Sequence, residues 1–318
     1  MKDIIAPIPK EKLIAELTPD KMMRKTNKGA NEIYIITAHD SPNVMQEIGR
    51  LREITFRDAG GGTGKDVDID SYDISEKPYK QLIVWDPENL EILGGYRYVM
   101  YSECDRDENG MPVLATSRLF HFSEDFINEY LPHTLELGRS FVQPQYQSSK
   151  AGAKALFALD NLWDGLGALT VDHPEIKYCF GKVTMYTHFH SKARDLIQYF
   201  FSKYFRDRDN LVYPKNPFIF DINEDEMEKI FTGDSYKEDY KILLQRVRDY
   251  GENVPPLINA YMNLSPSMKT FGTIVNDHFG NVEETGIIIT INDIYEAKLD
   301  RHIATYIKGK EDGFEDVK

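Results

Sequence analysis

The sequence predicts a mixed α/β protein (α+β in its segregation of elements) built on one mostly antiparallel sheet flanked by helices. Two observations carry that prediction. Strand-forming runs come first, an amphipathic helix sits in the middle, and strand–helix–strand follows. With 41% hydrophobic and 12% aromatic residues in 318, the chain can also bury a substantial core, which excludes wholesale disorder.

Taken in order, residues 9–25 are polar and weakly helical, interrupted at Thr18-Pro19. Residues 1–30 therefore read as a polar arm, and 31–318 as a single domain. Glu32 to Ala38 alternates as a short strand. Ser41-Pro42 then supplies an N-cap and a proline at the first helical position, and Val44, Met45, Ile48, Leu51 and Ile54 keep helical spacing to about residue 57. A glycine-rich acidic loop runs from Gly60 to Asp73. Tyr79 to Trp85 and Ile92 to Tyr101 read as strands of a hairpin, since Asp86 to Asn89 (DPEN) is a turn signal. Apolar texture returns in the run Thr134 to Val142 (TLELGRSFV), a core strand. Ser148 or Ser149 can cap the next helix, whose face is Ala155, Leu156, Leu159, Leu162, Trp163 and Leu166. A strand at Lys177 to Met185 and a helix at Ser191 to Tyr204 follow. An insertion near 206–265 holds helices near 235–249 and 255–263, and a strand at Gly286 to Ile291 opens a C-terminal strand and helix extension.

The net charge of −14 argues against a nucleic-acid partner, which needs surplus Lys and Arg. Basic clusters remain at Lys21 to Lys28, at Lys150 with Lys154, and at Lys192 with Arg194; against the acidic background these are docking spots for an acidic partner or simply solvated surface. Cys104 and Cys179 show neither a disulfide framework nor a zinc spacing. No apolar run approaches a membrane span, and the first residues lack a signal peptide, so the expectation is a cytoplasmic protein.

Tempting motifs fail on spacing. Gly60 to Lys65 (GGGTGK) has Ala59 and Asp66 where a phosphate loop needs glycine and Ser/Thr. Asp105 to Gly110 (DRDENG) starts like a calcium loop but carries Thr116 at the twelfth position, and Asp66 to Asp70 lacks the sixth-position glycine. His188 and His190 have no third ligand, so no metal is expected.

One constellation survives. Glu136 and Arg139 lie three apart in a core strand with Gly138 between them. In a regular strand they would point to opposite faces; a β-bulge at Gly138 would bring them to one side and free backbone N–H and C=O groups. Arg52 and Phe56 share a helix face, Asp70 and Asp73 sit in the loop beyond it, and Gly94 to Arg97 (GGYR) puts a third arginine in an apolar strand. Unpaired buried charges cost several kcal/mol, so Arg52, Arg97 and Arg139 are expected to meet Asp70, Asp73 and Glu136. A core salt-bridge network is the plain alternative to a functional site.

The order R-x-x-x-F (Arg52, Phe56), D-x-x-D (Asp70, Asp73), G-x-x-R (Gly94, Arg97), E-x-x-R (Glu136, Arg139) resembles that of acyl-homoserine-lactone synthases. It is also similar to the ornithine- and glycine-lipid N-acyltransferases, often called hemolysin-like; both are branches of the GNAT superfamily. The resemblance spans about residues 45–200. The second branch fits better through Leu135 to Tyr146 (LELGRSFVQPQY), Val254 to Tyr261 (VPPLINAY) and Arg301-His302, whereas a tryptophan expected of the lactone synthases is Gly62 here.

That resemblance implies a GNAT-like sheet with its bulge on the central strand. It implies transfer of a 3-hydroxyacyl chain from acyl carrier protein, presented as a phosphopantetheine thioester, to the α-amine of an amino acid. No cofactor is expected; acyl-CoA is the alternative donor. Glu136 is the expected general base, with Arg139 and Arg97 beside it, and Arg52, Phe56, Asp70 and Asp73 ordering the loop or gripping the acceptor. Phe141, Val142, Ser148, Ser149 and Lys150 are expected to hold the phosphopantetheine, because Lys150 replaces the first glycine of the coenzyme A loop. Peripheral membrane contact would suit a lipid product. The rivals are an acetyl-CoA-dependent acetyltransferase, a lactone-synthase-like enzyme, and a GNAT-fold binding protein without turnover.

Overall fold

The structure is a computed structural model that describes residues 1–147 and 153–306. In chain order, α1 (Lys10–Glu16) and β1 (Met22–Lys25) lead to β2 (Glu32–Ile36), α2 (Pro42–Asp58) and the single turn α3 (Ser71–Ile74). β3 (Lys80–Asp86) and β4 (Glu91–Met100) form the hairpin that the DPEN turn predicted. β5 (Phe120–Phe122), β6 (Thr134–Val142), α4 (Ala153–Asp172), β7 (Tyr178–Met185) and α5 (Ser191–Tyr204) follow. β8 (Val212–Pro214), α6 (Glu224–Ile230), α7 (Tyr236–Asp249), α8 (Pro256–Met262), β9 (Lys269–Asn276), β10 (Val282–Thr290) and α9 (Glu296–Leu299) complete the described chain. Among the described residues, no helix is long and apolar enough to cross a membrane.

Eight strands make one sheet in the order β1-β2-β3-β4-β6-β7-β10-β9; β5 and β8 pair separately. Every neighbour in the large sheet is antiparallel except β6 and β7. β1 is a departure from the helical reading of residues 9–25. Its charged residues Arg24 and Lys25 pair with Ile33 and Glu32 at the sheet edge, where charge is normal for a strand and hides it from a hydrophobic pattern. β9 was also missed, for Gly272 breaks its run in the left-handed conformation.

The core forms two layers, one on each side of the sheet. On one face, α1 and α2 cover Tyr34, Ile36, Ile83, Trp85 and Phe141. Over the opposite face lie α4 and the helices α5, α7 and α8, which bury Leu82, Tyr96, Leu135, Val183 and Ile287. Ser41 and Pro42 take the N-cap and first helical position of α2 as the sequence predicts, and Val44, Met45, Ile48 and Leu51 are buried. The expected caps Ser148 and Ser149 lie outside the described residues.

Two local features open the sheet. β6 carries a bulge: Arg97 pairs with Gly138 and Gly95 with Phe141, so Tyr96 faces two residues, Arg139 and Ser140. The left-handed residue is Arg139 (φ 48°), whereas Gly138 has ordinary φ. The predicted bulge is therefore present one position later than expected. In addition, the parallel ladder of β6 with β7 stops after Thr134↔Tyr178, Leu135↔Cys179 and Glu136↔Phe180. Beyond that fork the two strands diverge.

Glycines let neighbours press against the backbone of β6 on both sides. A Cβ on Gly94 would lie 2.4 Å from the Phe141 carbonyl oxygen, and one on Gly181 would lie 2.6 Å from that of Leu137. Gly94→Ala is expected to lower the unfolding free energy by about 1–3 kcal/mol, because backbone atoms cannot yield as a side chain does. Urea denaturation of the purified variant checks it, with an unchanged midpoint as the contrary result.

Candidate active site

The face covered by α2 holds a network of charges. Arg52, from α2 and 0% exposed, reaches both oxygens of Asp73 at 3.3 and 3.4 Å and donates to the Gln81 side chain of β3. Asp70 and Asp73 form a capping box on α3: the Asp70 carboxylate accepts from the Tyr72 N–H, and that of Asp73 from the Asp70 N–H. That box fixes the two acids of D-x-x-D over the sheet. Arg97 of β4 donates through one nitrogen to both Asp70 oxygens at 2.8 Å and to Asp73 at 3.2 Å. Burial alone would raise the Asp73 carboxyl, but the Arg52 and Arg97 guanidiniums outweigh it and hold the group well below the usual carboxylate range.

Arg139 comes to this same face because of the bulge. It ion-pairs with Asp68 at 2.8 Å and approaches Asp70 at 3.7 Å. Its guanidinium lies 4.3 Å from the Phe279 ring centroid, and Phe279 packs edge-on against Phe56 at 5.1 Å. The pairing expected between the arginines and Asp70 and Asp73 is thus present, but the third acid is Asp68 and not Glu136. Glu136, 3% exposed, is held by hydroxyls where an arginine was expected. It accepts from Tyr79 at 3.0 Å and from Thr116 at 2.7 Å. Burial pushes its carboxyl up, against the pull of those two hydroxyls.

A cavity of about 560 Å³ occupies the gap where β6 and β7 diverge, within the size range of small-ligand sites. Gly138 to Val142 form one wall and Gly181 to Thr184 the other. Beyond Glu136 and Phe180 the backbones of β6 and β7 no longer pair with each other. The two ends differ in chemistry. Towards α2 the lining includes Arg139, Lys182, Glu284, Phe56 and Phe279; towards α4 and α8 it includes Leu137, Cys179, Leu257, Ile258, Tyr261 and Ile289. A second cavity of about 60 Å³, lined by Trp163, Leu166, Ile294 and His302 among others, shares Leu137, Cys179, Tyr261 and Ile289 with the first.

Of the residues singled out in the sequence, the structure brings Phe56, Arg139, Phe141 and Val142 to the cavity wall. Arg52, Asp70, Asp73 and Arg97 form the ion network behind it. Glu136 belongs to neither of these two linings. Lys150, like Ser148 and Ser149, lies outside the described residues. The VPPLINAY stretch does reach the cavity, through Pro255 to Ile258 and Tyr261. His302 is held by Asp164 at 2.9 Å beneath the second cavity.

Sequence reasoning passed over Lys182 and Glu284. Lys182 of β7 ion-pairs with Glu284 of β10, whose other oxygen accepts from the Asn276 amide at 3.0 Å. Burial, with Arg139 adding like-charge repulsion, pushes the Lys182 ammonium down despite the pull of Glu284. The signal was available: Lys182 sits in an apolar strand run as Arg97 does, and the same reasoning applies to both.

The family profile described as an acetyltransferase (GNAT) domain matches residues 51–156. A glycine N(alpha)-acyltransferase of Phocaeicola vulgatus is 61% identical over 308 residues, spanning 97% of this chain and 94% of the relative. One of Bacteroides thetaiotaomicron is 59% identical over 312 residues, 98% and 93% of the two chains. A solved CoA-dependent acyl-homoserine lactone synthase, bound to SAM and isopentyl-CoA, covers 87% of this chain and 89% of its own at 13% identity and TM-score 0.39.

Proposed function

The chain belongs to the N-acyltransferase family of these two relatives, with a GNAT fold, and from that premise we propose that it transfers a 3-hydroxyacyl chain from acyl carrier protein to the α-amine of glycine, opening an aminolipid pathway. The observation that carries this reading is the gap between β6 and β7, charged at one face of the sheet and apolar at the other. A thioester carbonyl held in the gap would present its acyl chain to the apolar side and its carbonyl carbon to an amine from the charged side. The freed backbone N–H groups of the bulged strand would bind the oxyanion of the tetrahedral intermediate. Arg139 adds positive charge at the same end, and Arg52, Arg97, Asp70 and Asp73 fix the loop that carries its partner Asp68. Glu136 is read as a positioning residue that anchors β6 to Tyr79 and Thr116. Both relatives are glycine N-acyltransferases, which supports glycine as the acceptor. Support for a carrier-protein donor comes from the sequence alone, where Lys150 stands in place of the coenzyme A loop's first glycine.

Incubation with 3-hydroxyacyl carrier protein, the matching acyl-CoA and a pool of amino acids, followed by mass spectrometry of the lipid extract, tests the reading. Acylglycine formed faster from the carrier protein is the expected product. Acetylation from acetyl-CoA with no long-chain product overturns it.

The second cavity makes the apolar path longer, and we place the far end of the acyl chain there. Leu166→Trp should fill it without touching the charged face. The preference for long over short donors is then expected to fall at least about tenfold in relative kcat/KM. Competition between two donor lengths measures it directly; an unaltered ratio would place the chain elsewhere.

A further inference from the structure

We propose that Lys182 and Glu284 form the acceptor subsite, a pair of opposite charges that binds the zwitterion of a small α-amino acid and removes the proton from its ammonium group. The inference rests on the acyl-transfer reading above and deepens it.

An amino acid at neutral pH carries one cation and one anion side by side. The cavity wall at the charged end presents one anion, Glu284, and one cation, Lys182, bonded to each other across β7 and β10. Both are costly to bury, and Glu284 is only 1% exposed. Glu284 is held from two sides, by the Lys182 ammonium and by the Asn276 amide, so its carboxylate is fixed while remaining part of the cavity lining. Gly286 stands opposite Lys182 on β10 and adds no side chain at that register. Arg139 lines the same end and gives a second cation for the acceptor carboxylate. Phe56, Phe279 and Tyr186 wall that end with rings, which favours an acceptor without a bulky side chain.

The acceptor ammonium meets Glu284, and its carboxylate meets Lys182 and Arg139. Glu284 takes one proton, and the nitrogen lone pair attacks the thioester carbonyl carbon while the C=O pair moves onto oxygen. Collapse of the intermediate re-forms C=O and breaks C–S. The departing sulfur takes the remaining extra proton from nitrogen, leaving amide and thiol, and Glu284 releases its proton to water. Glu284 lines this cavity and Glu136 does not, its two oxygens being taken by Tyr79 and Thr116.

Glu284→Gln, Lys182→Met and the double variant, each checked for folding by circular dichroism, test the assignment with glycine and with hydroxylamine, an amine already neutral at pH 7. With Glu284→Gln, kcat for glycine should fall about a hundredfold while hydroxylamine transfer stays within about threefold of the parent. With Lys182→Met, KM for glycine should rise about tenfold and KM for the donor should not move. The double variant removes both charges together, so it keeps the fold if a single one does not, and it should lose glycine but keep hydroxylamine. Equal losses with both nucleophiles, or an unchanged KM for glycine, overturn the proposal. A parent enzyme that acylates no amino acid would instead overturn the transfer reading beneath it.

Discussion

Asp73→Ala is expected to lower the unfolding free energy by about 3–5 kcal/mol, the cost of removing one partner from a buried ion network. For a domain whose whole stability is about 5–15 kcal/mol, that is close to loss of the fold at 37 °C. The reason is the number of charges the single carboxylate answers. Arg52, which has no solvent exposure, would keep the neutral Gln81 as its hydrogen-bond partner, and Arg97 would keep Asp70 and its contacts with the Tyr72 and Tyr79 rings. The α3 capping box would lose its N3 acid as well. A second consequence is a pH dependence of known sign. Asp73 has a folded pKa below its unfolded value of about 3.9, so its stabilisation is complete above that pH and drains away as the pH falls through the folded value. Guanidinium denaturation at a series of pH values should therefore show a parent enzyme that weakens steadily below about pH 4, and an Asp73→Ala protein whose curve is flatter there. A variant as stable as the parent at pH 7 would mean that the network contributes little beyond its own desolvation.

Much of this site could be read from the chain before any coordinates. A charge in an apolar strand must find a partner, and that rule located Arg97 and Arg139, while helical spacing turned Arg52 inward onto the same face. The D-x-x-D spacing matched a capping box because N-cap and N3 are three residues apart. The bulge expected at Gly138 lies one position later, with the left-handed conformation on Arg139, where ion pairs to Asp68 and Asp70 compensate the strain. The partnership of Lys182 and Glu284 was beyond local patterns. It depends on the β7–β10 register, which joins residues 102 apart in sequence. Glu136 shows the limit from the other side. Its neighbours Tyr79 and Thr116 come from distant segments, and only their hydroxyls decide that the carboxylate is enclosed and not presented to the cavity.

Removing the Arg139 side chain is expected to lower kcat/KM by about 10–100-fold, the cost of losing one charged contact to the acceptor carboxylate. The difficulty is that the residue has three connected jobs: it adopts the left-handed conformation of the bulge, it neutralises buried Asp68, and it lines the cavity. Two substitutions separate them. Arg139→Gly tolerates the positive φ and so keeps the bulge, whereas Arg139→Ala retains a strain of about 1–2 kcal/mol and should be less stable by that amount. Both strand the Asp68 carboxylate, which is 0% exposed. Pairing Arg139→Gly with Asp68→Asn removes the stranded charge and is expected to recover most of the lost stability. If the guanidinium grips the acceptor, activity stays low in this double variant although the fold is restored. Near-parental kcat/KM in the stable double variant would assign catalysis to the opened backbone alone and leave Arg139 a purely structural part.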